Sequence, residues 1–388
     1  MNKKVFLAIG LSFVVLLSAC FSSLILSSCG DDDNSSSKRP RPFESSAFES
    51  SAASENSEES EISESTSDVS DSESSAAEPE HGWVINEYGY TYLYDGCGYL
   101  QFNYKKSALD RYVSGMNSLA AIIPENTKIY NIVAPVSSTF ADIPRDIYVA
   151  DNFYNLSQSA FVSTASASLS DKITTIHVIK PLEELYDSGE YVFFRTDSNW
   201  TPLAAYTAYS LFCKEAGKTP YSIGNFEKSE GNDFLGSFYK ATKSPSMEKD
   251  PDELTVYFPL ASVGSVLKVY SGDTIYSDYE VCRNNVAVND GYNVFLGRKA
   301  GRYEINTNAG GGSLLIIGDS SACPVIPFLM SHYSKIDYIN PELYGGNLQD
   351  FLAAREYDDV LTICYSVNAV SGDYLPALNE IIGETKNG

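Results

Sequence analysis

The sequence predicts an α/β protein: a mainly parallel sheet flanked by helices, with a β-rich insertion. Three observations carry this. Short apolar runs alternate with helical patterns on both sides of the chain's middle, which implies a parallel sheet with helices on its faces. The stretch 219–312 breaks that alternation with Tyr, Val, Thr, Gly and repeated turn residues such as "KSEGND", "YSGD" and "VNDGYN". One of the most apolar runs, "SLLIIGD", ends directly before Ser320, and sites in open α/β sheets lie beyond the carboxyl ends of strands.

Residues 1–29 read as a lipoprotein signal or membrane anchor. "MNKK" carries two lysines and residues 5–28 are almost wholly apolar or small, the n-region and h-region of an export signal. "LSAC" ends at Cys20 and "LSSC" at Cys29. Cys20 suits the usual h-region length and Cys29 suits the polar run that follows, so lipidation is expected at Cys29 or Cys20. An uncleaved signal anchor is the other reading, since ~24 apolar or small residues span a bilayer. Either way the chain is expected outside the cytoplasm, held to a bacterial membrane.

Residues 30–80 read as a disordered Ser/Glu-rich tether. Fifteen acidic against three basic residues give it −12, half of the chain's −24. Such a composition buries too little apolar surface to offset ordering entropy, and fifty flexible residues reach roughly 40 Å. Residues 81–388 are long enough for a sizeable core. They carry −14, no basic stripe and no aromatic RNA-type motif, which argues against nucleic acid as a partner. Cys97, Cys213, Cys282, Cys323 and Cys364 show no paired or zinc-like spacing, so neither a metal nor a disulfide scaffold is expected.

In the folded part, "TKIYNIVAPVSSTF" (127–140) reads as a buried strand and loop, "ITTIHVIKPLEELY" (173–186) as a strand and short helix, and "EYVFF" (190–194) as a third β run. Thr201 as N-cap, Pro202 at the first position and Gly217 as stop frame a helix. After the insertion come strand "SLLIIGD", helix "PVIPFLMSHY", strand "KIDYIN", helix "NLQDFLAAR", strand "DDVLTICYS" and helix "YLPALNEII". Asp197 and Ser320 each follow an apolar run, which brings them plausibly to one cleft.

"FFRTDSNWTPLAAYTAY" resembles the segment that names the DHHW family, where Asp-His-His-Trp precedes Thr-Pro-Leu. "NDFLGSFYKAT", "ELTVYFP", "NVFLG" and "SLLIIGDSSACPVIPFLMSHYSKIDYIN" resemble its later blocks in the same order, so the likeness covers about residues 85–375. The family is a branch of SGNH-hydrolase-like proteins related to those that O-acetylate alginate in bacterial envelopes. The resemblance implies Ser320 as nucleophile, Asp197 as the residue orienting the histidine, and Trp200 as the closing tryptophan. It also makes Ser321 a neighbour of the oxyanion site, at a helix that would start near Pro324 or Pro327 and offer backbone N–H groups to an oxyanion.

The chain departs from that pattern where the chemistry is decided. Ser198 and Asn199 stand at the two histidine positions. The second is the expected base, and an amide has no usable basicity. Arg298, Lys299 and Ala300 follow "FLG" where the family has Gly-Asn-His, and Glu342 stands where it has an arginine. Only His81, His177 and His332 remain. His332 is expected well down a helix, His177 inside a strand and His81 at the tether boundary, so none is a good substitute. The tyrosines, 28 in number, would mostly pack the β segment, and Trp200 reads as a packing residue. The sequence therefore predicts a surface-anchored, catalytically impaired family member that binds an envelope polysaccharide or a partner, without cofactor. The rivals are an active O-acetyl esterase or acetyltransferase using Ser320, and a structural surface protein without ligand.

Overall fold

Strands buried on both faces read as unbroken apolar runs, and four such runs form the centre of the sheet. The computed structural model describes residues 80–87, 89–261, 264–284 and 288–383. Cys20, Cys29, the whole of 1–29 and all but the last residue of 30–80 lie outside the described residues.

In chain order the strands are β1 (His81–Asn86), β2 (Gly89–Tyr94), β3 (Cys97–Tyr99), β4 (Lys128–Ala134), β5 (Ile173–Thr175), β6 (Asn232–Phe234), β7 (Asp252–Leu254), β8 (Val266–Ser271), β9 (Thr274–Tyr276), β10 (Arg302–Asn306), β11 (Ser313–Gly318), β12 (Lys335–Ile339) and β13 (Asp359–Tyr365). The central sheet has the order β5-β4-β13-β11-β12-β10-β8-β9. β5, β4, β13, β11 and β12 pair in parallel. β10, β8 and β9 extend it antiparallel. All seven side chains of β13 are buried, which fixes it at the middle. β1–β3 form a separate antiparallel sheet and β6–β7 a hairpin-like pair.

The helix Pro202–Glu215 has the ends its sequence promised. Thr201 Oγ accepts the Ala204 N–H at 3.4 Å and donates to the Tyr191 carbonyl at 2.7 Å. Gly217 takes a positive φ of 70°. The Lys218 N–H then reaches the Cys213 carbonyl at 2.7 Å, closing the helix as a left-handed glycine cap does. Ala204, Ala205, Ala208 and Phe212 on this helix are wholly buried.

Several expected elements differ. Residues 190–194 are not a strand: they make one isolated bridge, Phe193 to Trp200. Their apolarity serves loop packing, as in the edge-on contact of Phe194 with Phe234 at 5.0 Å between centroids. The segment 219–312 is no self-contained β unit, since β8–β10 continue the main sheet. "PVIPFLMSHY" yields only the one-turn helix Ile326–Leu329, with Pro327 in its first turn, where a missing N–H is tolerated. His177 lies past the end of β5 and is exposed. His81 is the first residue of β1, and its Nδ1 lies 2.7 Å from Asp151 Oδ2. The five described cysteines are all free.

Thr201 both caps the helix and ties it to Tyr191. Thr201→Ala is expected to destabilise the protein by about 1–2 kcal/mol, read as a lower denaturant midpoint at unchanged slope.

Candidate active site

The nucleophile turn is built by one buried carboxylate. β11 ends at Gly318, where an added Cβ would meet the Ile363 carbonyl oxygen at 2.3 Å; only glycine lets β13 approach this closely. Asp319 follows, 3% exposed. Its Oδ1 accepts the Ser321 N–H at 2.9 Å and the Ser321 hydroxyl at 2.6 Å. Its Oδ2 accepts the Tyr365 N–H at 2.8 Å and the Asn368 amide at 2.6 Å. Burial pushes the Asp319 carboxyl above the usual range, and these donors oppose the shift. Asp319 thus ties the end of β11 to the end of β13, and both of its oxygens are engaged away from Ser320. Ser321 is wholly buried with its N–H and hydroxyl committed. Ser321 thus stands beside Ser320 with both donors held by Asp319. The N–H groups of the turn's first residues, Ser320 onward, are the ones that begin a 3-10 helix and have no acceptor within it unless a cap supplies one.

A second buried carboxylate shapes the motif loop. The Asp252 side chain is wholly buried. It accepts the Thr196 N–H at 2.8 Å, the Thr196 hydroxyl at 2.7 Å, the Arg195 N–H at 3.2 Å and the Tyr191 hydroxyl. The Thr196 carbonyl accepts the N–H groups of Phe238 and Tyr239 at 2.9 and 3.1 Å. Residues 195–197 are thereby fixed against 234–239 before the motif begins.

Asp197 then points inward, 5% exposed. Its Oδ2 accepts the Ser237 N–H at 2.7 Å. Its Oδ1 accepts the Asn199 N–H at 2.8 Å and the Asn199 side-chain amide at 2.5 Å. Gly236 makes room for it: a Cβ there would lie 2.2 Å from both Cβ and Oδ2 of Asp197. Ser198 turns aside, its N–H donating to Ser237 Oγ at 3.0 Å and its hydroxyl 3.0 Å from the same atom. Trp200 is wholly buried. Its Nε1–H donates to the Ser321 carbonyl at 3.2 Å and its N–H to the Tyr365 hydroxyl at 2.9 Å, so it packs behind the site and joins its two halves.

Asn199 closes the set. The Ser320 hydroxyl donates to Asn199 Oδ1 at 2.9 Å. The amide's orientation follows from its neighbour: an ionised carboxylate only accepts, so the NH₂ faces Asp197 and the carbonyl faces Ser320. Asp197, Asn199 and Ser320 thus form one hydrogen-bonded chain. Its middle member presents to Ser320 an amide oxygen, which takes no proton near neutral pH.

Above Ser320 lies an open cleft of about 370 Å³ at the carboxyl ends of β11, β12 and β13. Ser198, Asn199, Lys240, Arg298, Lys299 and Glu342 are among its walls. Burial pushes the Glu342 carboxyl above its usual range; Asp319 and Asp373 add to this and Lys299 opposes it. No histidine lines the cleft. His332 Nε2 is 2.8 Å from the Tyr209 hydroxyl, and burial, with Lys218 nearby, holds its imidazole below the usual range. A larger hollow of about 600 Å³, with Lys128, Ser313 and Asp359 on its walls, lies at the opposite, amino-terminal ends of β4, β11 and β13. Among the described residues no cluster of His, Cys, Asp and Glu could hold a metal.

Sequence reasoning missed Gly236, Ser237, Asp252, Tyr365 and Asn368. The first two lie in the quoted block "NDFLGSFYKAT", which was a usable signal. The carboxylate of Asp252 had none, because an isolated acidic residue reads as surface.

A family model described as "DHHW protein" matches residues 44–339. The crystal structure of a DHHW family protein from Eubacterium siraeum superposes with a TM-score of 0.66 at 21% identity, over 78% of this chain and 98% of that one. Bacillus cereus PatB1, solved with a sulfonyl adduct, gives 0.59 at 14% identity over 77% and 98%. The O-acetyltransferase domain of Pseudomonas putida AlgJ aligns at 13% identity over 78% and 99%, with a TM-score of 0.36 too low to carry weight. At these identities the likeness is one of fold, an SGNH-like α/β architecture. No curated protein matches the chain.

The close approach of Gly236 to Asp197 has a measurable cost. Gly236→Ala is expected to destabilise the protein by about 1–3 kcal/mol through overpacking. Gly224→Ala, whose added Cβ would meet nothing nearer than Ser222 Oγ at 4.0 Å, is expected to leave the denaturant midpoint nearly unchanged.

Proposed function

The chain belongs to the DHHW family, and from that premise we propose that it is a catalytically disabled SGNH-like protein whose cleft binds an envelope glycan without turning it over. One observation carries the reading: the group that faces Ser320 and bridges it to Asp197 is the Asn199 amide. A serine hydroxyl attacks an ester only when a neighbour takes its proton. Imidazole does so and later returns the proton to the leaving group. The amide fills the same place and donates to the same carboxylate, but it stays neutral. Removing the base from a serine triad costs on the order of a million-fold in turnover.

The cleft itself remains open, which favours retained binding over a purely structural role. The proposal places the protein on a bacterial surface, held by a lipid on Cys29 or Cys20 or by an uncleaved anchor, with residues 30–80 as stalk. The leader and the acidic composition of that segment support it. Among the described residues no helix is long and apolar enough to cross a membrane.

The rival reading, an active O-acetyl esterase or acetyltransferase, has one observation in its favour: the hydrogen bonds run from Ser320 to Asn199 to Asp197 in the direction a proton relay would follow. Such an enzyme would need the amide oxygen, or a group outside this arrangement, to accept the serine proton.

Acetyl-ester turnover separates the two. The natural chain is expected to match Ser320→Ala, with no turnover that depends on the serine. Asn199→His alone is expected to raise turnover by about 10²–10⁴-fold, the usual contribution of a placed general base, and the gain should vanish when Ser320→Ala is added. Turnover by the natural chain that disappears in Ser320→Ala would make it an enzyme and sink the proposal.

A further inference from the structure

The edge of a sheet ends in backbone groups that a further strand can pair with, and proteins usually keep such edges short, covered or charged. The edges of the main sheet, β5 and β9, are three residues each. β3, at the far edge of the first sheet, is partly covered: its Gly98 N–H donates to the Arg195 carbonyl at 2.9 Å. β1 differs. It runs for six residues, His81–Asn86, with no Asp, Glu, Lys, Arg or Pro among them.

The pairing of β1 with β2 tells which of its backbone groups face out. His81 lies opposite Tyr94 and Ile85 opposite Tyr90, and the Asp95 N–H donates to the Glu80 carbonyl at 3.0 Å. Bonded pairs recur at every second residue of an antiparallel ladder, so Gly82, Val84 and Asn86 face β2. The N–H and C=O of His81, Trp83 and Ile85 point away from it and have no partner among the described residues. The strand itself is held firmly. Val84 packs against the buried cluster of Leu93, Phe238 and Met247, and the Trp83 Nε1–H donates to the Asp151 carbonyl at 2.7 Å. Beside the open edge stand Ile85 and Tyr90, 63% and 66% exposed, the most exposed large apolar side chains among the described residues.

We propose that this edge receives the same strand of a second copy of the chain, antiparallel, with a two-fold axis at Trp83. Such an interface is self-complementary. His81 then pairs with the partner's Ile85, and each outward donor meets an outward acceptor. Glu80 falls opposite the partner's Asn86, so no like charges face each other across the axis. The two three-stranded sheets become one. At about 3.4 Å per residue the two His81 positions lie roughly 14 Å apart, so the preceding chain of both copies can reach one membrane. On the surface-anchored reading above, that confinement raises the concentration of each copy for the other. A strand pair this short buries less than a standard interface, so the dimer is weak in solution and concentration-dependent.

The experiment is sedimentation equilibrium of the full chain in density-matched detergent, with residue-resolved amide exchange at low and high protein concentration. Ile85→Lys places a lysine on the open edge, where the monomer tolerates it. Val266→Lys, at a site 46% exposed on β8, is the control. The natural chain is expected to show a monomer–dimer equilibrium. Ile85→Lys should weaken it by about tenfold or more, since each dimer gains two lysines, and Val266→Lys should leave it unchanged. Exchange at His81, Trp83 and Ile85 should slow as concentration rises, while Gly82, Val84 and Asn86 stay protected throughout. A natural chain that is monomeric at every concentration would overturn the proposal. So would a dimer that Ile85→Lys leaves intact, or protection of residues 81, 83 and 85 that ignores concentration, which would mean that the chain covers its own edge. None of these readouts involves the cleft or the anchor, so their failure would leave the proposed function standing.

Discussion

Two buried carboxylates hold this site together. Loops crossing the end of a sheet bring backbone N–H groups out of contact with water, and each one left unpaired is costly. Asp252 answers that problem for residues 195 and 196, and Asp319 for residues 321 and 365. Asp252 gathers its donors from residues 191–196, Asp319 from two segments, and each fixes a turn that has no regular structure of its own. Asp319 also joins the carboxyl ends of β11 and β13, and Trp200 bridges the two assemblies through Ser321 and Tyr365. The distance between Asp197 and Ser320 is thus set by groups that take no part in chemistry.

On the proposed reading, that division explains how the site would keep its shape without a proton carrier. Asn199 presents a donor toward Asp197 and an acceptor toward Ser320, the same polarity a neutral imidazole would offer. The hydrogen bonds that position the nucleophile survive the change; only the capacity to hold a proton is gone. The loop loses little, because its fold depends on Asp252, Gly236 and Ser237. A binding role is compatible with this economy, since a ligand needs the cleft's walls and not a proton carrier.

Much of the fold was legible. The unbroken apolar runs gave β4, β11, β12 and β13, and Thr201, Pro202 and Gly217 marked one helix at both ends. Asp197 and Ser320 do meet in one cleft, but the ground for expecting it holds only for Ser320, since the run before Asp197 is not a strand. What was hidden has physical reasons. "EYVFF" is apolar because its side chains are buried in a loop, and a short apolar run does not distinguish that from a strand. β8–β10 looked like a separate unit because an antiparallel extension of a parallel sheet leaves no mark in local pattern. The spacing of "PVIPFLMSHY" suggested a longer helix than the single turn Ile326–Leu329. Ser321 was legible as a neighbour of Ser320, but that Asp319 holds both its donors was not. The Asn199 position was readable as a lost base, but its hydrogen bonds to both neighbours required coordinates.

The central claim is that Ser320 is well placed and chemically idle for want of a proton acceptor at residue 199. The most direct test is labelling with a small sulfonyl fluoride, read as intact mass and located by peptide mapping. The account predicts no adduct on the natural chain under conditions where Asn199→His gains one sulfonyl group, on Ser320. Equal labelling of Ser320 in both chains would mean that the natural protein activates its serine by other means, and would contradict the account.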